Sequence, residues 1–122
     1  MELRITARHF DLTPELKAYA ESTITALSRY FERIVDAHLV LEVEKHRKRA
    51  ELTTNVYGQK LVSHAETDDL YVSIDEVVDK MQRQLKRYNA RFKRHGRLSE
   101  EEKIALASRM AAEIDNEIQQ AN

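Results

Sequence analysis

Hydrophobic and polar residues alternate over residues 2–8, with Leu3, Ile5 and Ala7 on one side and Arg4, Thr6 and Arg8 on the other. A period of two predicts a half-buried strand. Thr13-Pro14 marks a helix start, Thr as the N-cap and Pro at the first helical position. Leu16, Ala20, Ile24 and Leu27 follow at helical spacing, with Tyr19, Thr23 and Tyr30 beside them, so the helix is predicted from Pro14 to about Tyr30. Ala37, Leu39, Leu41 and Val43 then alternate with His38, Val40, Glu42 and Glu44, a second strand. The polar segment 45–49 connects it to a third, over Ala50–Tyr57, in which Leu52, Thr54 and Val56 share a face. Gly58 supplies a turn, and Leu61, Ser63 and Ala65 mark a fourth strand ending near Thr67. Strands joined by such short links are antiparallel hairpins. Asp68 or Asp69 is placed to cap a long helix that reaches about His95 before Gly96 closes it.

The predicted order is β-α-β-β-β-α, an α+β fold with a four-stranded sheet and two helices packed on one face. The other sheet face, bearing Arg4, His38, Glu42, Thr53, Asn55 and His64, is expected to stay wet. This sandwich resembles the double-stranded-RNA-binding domain with an extra first strand. Fold alone does not establish function.

Residues 1–97 form the predicted domain, and 98–122 an acidic C-terminal extension, helical or partly disordered. Ser99 and Glu102 fit an S-x-x-E capping box. Ile104, Ala107, Met110, Ala111, Ile114 and Ile118 make a narrow apolar stripe, suited to packing on the domain or on a partner. A stripe so thin buries little, and a frayed tail satisfies the pattern equally.

At 122 residues the chain is long enough for one core. With 42% hydrophobic and 34% charged residues it reads as a soluble globular protein. No apolar run approaches the roughly 20 residues of a membrane span, and the N-terminus lacks a secretory h-region. The absence of Cys removes disulfides, thiolate zinc sites and cysteine nucleophiles from consideration. A cytoplasmic protein without a membrane partner is expected.

The formal net charge of −1 hides a strong asymmetry. Residues 80–97, KMQRQLKRYNARFKRHGR, hold eight of the chain's twenty Lys and Arg residues and none of its twenty-one Asp and Glu residues. Bipolar charge favours oriented docking on a polyanion, because the acidic parts are repelled while the basic part is drawn in.

On a helical wheel with Lys80 at zero, Ile74, Val77, Met81, Leu85, Tyr88 and Phe92 fall between roughly 60° and 140°, the core face. Lys80, Arg83, Arg87, Arg91 and Arg94 fall between roughly −60° and 20°, and Lys86, Lys93 and Arg97 lie further round the polar side. Like charges at i,i+3 and i,i+4 cost a few tenths of a kcal/mol per pair, which interleaved Glu would relieve. The helix dipole favours bases only in the last turn, so it does not account for the whole run. A solvated face remains the bland explanation of any charge run. The functional one is a ridge that tracks phosphates, with each Arg fork matched to phosphate oxygens. Lys45, Arg47, Lys48 and Arg49 suggest a second positive patch at a hairpin tip. Two patches fit a folded RNA better than a regular duplex, and DNA is not an expected partner. The sheet lacks the paired aromatics that stack single-stranded bases.

Catalysis has little support. His9, His38, His46, His64 and His95 are scattered with no ligand spacing, so no metal, cofactor or enzymatic activity is expected. Gly58 and Gly96 form no phosphate-cradling loop. Tyr19, Tyr30, Tyr71 and Tyr88 stand at core spacing and read as packing residues.

The stretch DLYVSIDEVVDKMQRQLKRY, residues 69–88, resembles the signature of the ribosome hibernation promoting factor family, which includes ribosome-associated inhibitor A and older descriptions as sigma-54 modulation protein. The matching residues are Asp69, Leu70, Tyr71, Ser73, Ile74, Asp75, Lys80, Met81, Gln84, Leu85, Arg87 and Tyr88, and the opening ITARHFDLTPELKAYAE is similar to the family's first strand and helix start. Val72 and Asn89 depart from the family pattern, where Ala and Lys are more common. The resemblance covers residues 1 to about 95. It implies the β-α-β-β-β-α fold and binding to the small ribosomal subunit and its rRNA in the channel used by mRNA and by A- and P-site tRNA. Occupation of that channel would block translation and preserve idle ribosomes in stationary phase or stress. By the same resemblance Lys80, Arg83, Arg87 and Arg91 match basic positions of the family's rRNA-facing helix. The chain is expected to be monomeric off the ribosome and to lack the dimerising domain of long family members. The alternative is a regulatory protein-interaction module that binds an acidic protein partner through the same ridge.

Overall fold

The computed structural model describes residues 1–31, 33–56 and 58–94, together with 101, 102, 104, 105, 107–109 and 111; for residues 30 and 91–94 it describes the backbone alone. The elements are β1 (Glu2–Arg8), α1 (Pro14–Tyr30), β2 (Ile34–Glu44), β3 (Arg47–Val56), β4 (Gln59–Thr67) and α2 (Leu70–Arg94). The strands form one mixed sheet in the order β1-β2-β3-β4, with β1 parallel to β2 and both later pairs antiparallel.

Local chemistry sets the helix starts. Thr13 is extended, and its Oγ1 accepts from the Leu16 N–H at 3.2 Å, with Pro14 in the first turn. At α2 the Asp69 carboxylate accepts from the Tyr71 N–H at 2.8 Å, and Thr67 Oγ1 accepts from the Asp69 N–H at 3.1 Å. Each such cap is worth about 1 kcal/mol.

Two strands begin earlier than the alternation predicts. In β2 the pairing shifts register between Ile34 and Asp36, and the bulge turns Val35 out to solvent while Ile34 and Ala37 are both buried. An extra residue there breaks the period of two, so the pattern is legible only from Ala37 onward. In β3, Arg47–Arg49 belong to the strand, and the true connection is the two residues Lys45 and His46, with Lys45 at φ 56°.

Both helices cover one face of the sheet. Leu16, Ala20, Ile24 and Leu27 of α1 are buried, as are Ile74, Val77, Met81, Leu85 and Tyr88 of α2. They meet Ala37, Leu39, Leu41, Ala50 and Leu52 from the middle strands. Tyr71 departs from its predicted packing role: it is 41% exposed, its ring tilted against Tyr19 with centroids 5.0 Å apart. The side chains of Tyr30 and Phe92, and residues His95, Gly96, Ser99, Met110, Ile114 and Ile118, lie outside the described residues.

Polar bonds fix the rotation of α2. Ser73 Oγ donates to the Lys48 carbonyl at 2.7 Å, Ser63 Oγ to the Val77 carbonyl at 2.8 Å, and Gln84 Nε2 to the Val62 carbonyl at 2.8 Å. Thr54 Oγ1 approaches the Met81 sulfur at 3.3 Å. An apolar stripe tolerates small rotations, whereas buried hydrogen bonds lose on the order of 1–3 kcal/mol when a partner is left unsatisfied. These contacts therefore decide which arc of α2 faces outward.

Candidate nucleic-acid interface

With α2 seated this way, its outward arc is acidic in its first half and basic beyond it. Asp75, Glu76 and Asp79 are exposed, followed by exposed Arg83, Lys86 and Arg87. Arg83 Nη2 lies 2.7 Å from Asp79 Oδ2, an i,i+4 pair whose side chains are both more than half exposed. Such a pair contributes about 0.3–0.5 kcal/mol and yields readily to a stronger anion. Arg91 and Arg94 continue the same helix, but their side chains lie outside the described residues, as does Arg97.

Lys80 differs from its neighbours on the ridge. It is half-buried, and its Nζ donates to the His64 carbonyl at 2.8 Å. Val62 and His64 belong to β4, the outermost strand, and Gln84 binds the carbonyl of the first as Lys80 binds that of the second. The ridge therefore flanks the sheet edge, with Lys60 and His64 exposed on β4 beside it. The opposite flank of α2 faces α1, where Tyr19 Oη donates to the Asp75 carboxylate. That hydrogen bond, helped by burial and by the Asp75 charge, raises the Tyr19 phenol above its ordinary value.

The hairpin residues separate rather than gather. Pleating sends Arg47 and Arg49 to the open sheet face and Lys48 to the helix face, where it lines a cleft with Asp11, Asp68 and Asp69. Arg8, Glu42, Arg49 and Glu66 stand directly opposite one another across four strands, a row of alternating charge. Arg49 lies 3.4 Å from Glu42, 3.6 Å from Glu44 and 3.4 Å from Glu66, and Arg47 lies 3.5 Å from Glu66. The tip is thus a charge-balanced ladder, not a purely positive patch. A cleft of about 500 Å3 on the open sheet face runs from Arg8 past Glu42, Arg49, Glu51 and Glu66 to Lys80. Arg87 is remote from the tip: Ser73 holds Lys48, and fourteen helical residues from there span about 21 Å.

Sequence reasoning assigned no role to Gln84 and passed over Lys60. Gln84 is 2% exposed, although the wheel places it near roughly 40°, on the border between the basic ridge and the core face. A polar residue on that border carries no signal of burial within α2 itself, because its bond to the Val62 carbonyl of β4 is what buries it. Lys60 offered none, because it joins the ridge only through the packing of α2 on β4. On the open sheet face, His38 Nε2 and Thr6 Oγ1 are 2.8 Å apart, and His64 Nδ1 lies 3.5 Å from Glu51. Both imidazoles are engaged by direct neighbours. Among the described residues no cluster of three or more His, Asp or Glu forms a metal-binding group, and no helix is long and apolar enough to cross a membrane.

Residues 3–93 match the profile of the family described as Sigma 54 modulation protein / S30EA ribosomal protein. The chain belongs to this family. Within the S30EA family it is similar to the ribosome hibernation promoting factor of Azotobacter vinelandii, 38% identical over 85 residues that cover 70% of this chain and 79% of the relative. The Salmonella typhimurium protein of the same name is 36% identical over 95 residues, covering 78% of this chain and all of the relative. The N-terminal domain of Thermus thermophilus Protein Y superposes with a TM-score of 0.66 at 28% identity, covering 72% of this chain and 99% of that one. A ribosomal subunit interface protein from Coxiella burnetii shares the fold, with a TM-score of 0.70 at 24% identity over 74% of this chain and 99% of that one. The S30EA match includes β1 to α2 and stops at residue 93, before the C-terminal extension.

Proposed function

We propose that this S30EA-family chain is a non-enzymatic ribosome hibernation factor that binds rRNA of the small subunit through the basic ridge of α2. In this reading it occupies the channel of mRNA and of A- and P-site tRNA in the cytoplasm, and preserves idle ribosomes under stress or in stationary phase. The observation that carries the proposal is the exposed run Arg83, Lys86 and Arg87, of one sign, on a helix whose rotation is pinned to the sheet. A pinned helix suits a rigid polyanion, since little backbone order remains to be lost on docking. The names of the relatives support the ribosome as that polyanion. Lys80 retains further donors beyond the one used on His64, and Lys60 extends the basic surface onto β4. The open sheet face presents no stacked aromatic pair among the described residues, which favours recognition by shape and phosphate over base reading.

The decisive test is cosedimentation of the purified chain with vacant small subunits at two salt concentrations. A stoichiometric complex at low salt that weakens steeply at high salt supports phosphate contacts, which release counterions on binding. Absence of a complex at low salt refutes the proposal.

A further inference from the structure

The C-terminal part of the chain beyond the family match packs on the domain at its described residues. Its described residues are helical, Ala107 is fully buried within the common core, and Ala111 packs against it. Ile104 lies on the β3–β4 turn, its Cγ2 3.9 Å from the point where a Cβ would stand on Gly58.

This docking site lies at the basic end of α2. The helix runs antiparallel to β4, Lys80 holding the His64 carbonyl and Gln84 that of Val62, so four residues of helix pass two of strand. From Gln84 to Arg94 the helix advances about 15 Å, and from Val62 to Gly58 the strand retreats about 13 Å. The last turns of α2 and the Gly58 turn therefore share one end of the molecule. Glu101 and Glu102 are exposed and stand within a helical turn of Ile104. The docked segment thus brings these two carboxylates to the end of the molecule at which α2 is basic, where the field of the ridge acts on them at low ionic strength.

We propose that the C-terminal segment is an intramolecular shield, an acidic helix docked on the β3–β4 turn that competes with RNA phosphate for the cations at the C-terminal end of α2. The inference rests on the reading of that ridge as the RNA-binding surface. Exposed Glu residues on a helix are by themselves ordinary solvated surface. Solvation does not explain why these residues are anchored beside the basic end through Ile104 and the fully buried Ala107.

The test compares the full-length chain with E101Q/E102Q and with a control, E2Q/E21Q, which changes net charge equally at exposed sites on β1 and α1. Salt-gradient elution from heparin is measured first, then binding to vacant small subunits. The shield predicts that E101Q/E102Q elutes at higher salt than both other proteins. It also predicts roughly threefold or tighter subunit binding at low salt, a difference that vanishes near 0.5 M salt as screening removes it. Co-elution of E101Q/E102Q with the control overturns the shield. A heparin shift specific to E101Q/E102Q without subunit binding by any of the proteins sustains the shield and removes the ribosome from the reading.

Discussion

Lys80 reaches from α2 to the open edge of β4 and donates its ammonium to the His64 carbonyl, 2.8 Å away. One turn later Gln84 does the same for Val62. An unprotected edge strand is a template for another chain, and here two side chains of the helix occupy its outward carbonyls. The edge is guarded by the helix that bears the basic ridge.

That relationship predicts two separable effects. Gln84→Leu should destabilise the fold by about 1–2 kcal/mol, because a buried hydrogen bond is lost. A urea midpoint shift at constant slope would measure it. K80A/Q84A should in addition associate as concentration rises, read by sedimentation velocity. A double variant that stays monomeric at high concentration would show that the edge is protected by something else.

The two basic regions should differ in their share of RNA binding. Each phosphate contact contributes a unit or slightly less to the salt slope. R83A/R87A should lower that slope by about two, whereas R47A/R49A should lower it by less than one, because Glu42, Glu44 and Glu66 already surround Arg49. Filter binding across a salt series distinguishes them. Equal losses would place the hairpin tip on equal terms with the helix. Stability should move little in R83A, whose exposed pair with Asp79 contributes at most about 0.5 kcal/mol.

The Tyr19–Asp75 bridge between the helices should appear in an alkaline titration. Its phenol is raised in the folded state, so the stabilisation is complete below the unfolded tyrosine value of about 10 and is lost as pH rises through the folded value. In Asp75→Asn one of the five tyrosines should ionise earlier, visible in the ultraviolet absorbance of tyrosinate. The stability gap between the two proteins should be present at neutral pH and close at high pH. A titration curve unchanged by the substitution would rule the bridge out.

Gly58 holds φ at 75°, a conformation that costs a residue with a side chain about 1–2 kcal/mol. Gly58→Ala should lose that amount in thermal or urea unfolding, with no steric contribution, since Ile104 stands at ordinary contact distance. A much larger loss would mean that the turn and the docked segment unfold together.

The legible parts of the fold were those whose neighbours in sequence are also their determinants. β1 and α1 follow from strict alternation and from the Thr13-Pro14 cap. The start of β2 was hidden by the bulge at Val35, and that of β3 by Arg47 and Arg49, whose charges look like loop residues until Glu42 and Glu66 stand opposite. Parallel pairing of β1 with β2 leaves no mark in either strand's period. At the candidate site, the helical wheel located Arg83 and Arg87 correctly on the outward arc. The tie of Lys80, the burial of Gln84 and the approach of Lys60 come from β4, twenty or so residues away, and no periodicity within α2 contains them.

The bonds that pin α2 make it a phase-sensitive object. One residue inserted between Val77 and Lys80 would advance everything after it by about 100°. Arg87 would then take the buried position of Tyr88, and Tyr88 the half-buried one of Asn89. The ridge therefore tolerates exchange of Arg for Lys far better than any change in spacing, and the distance between Ser73 and Gln84 is as much a part of the site as the cations themselves.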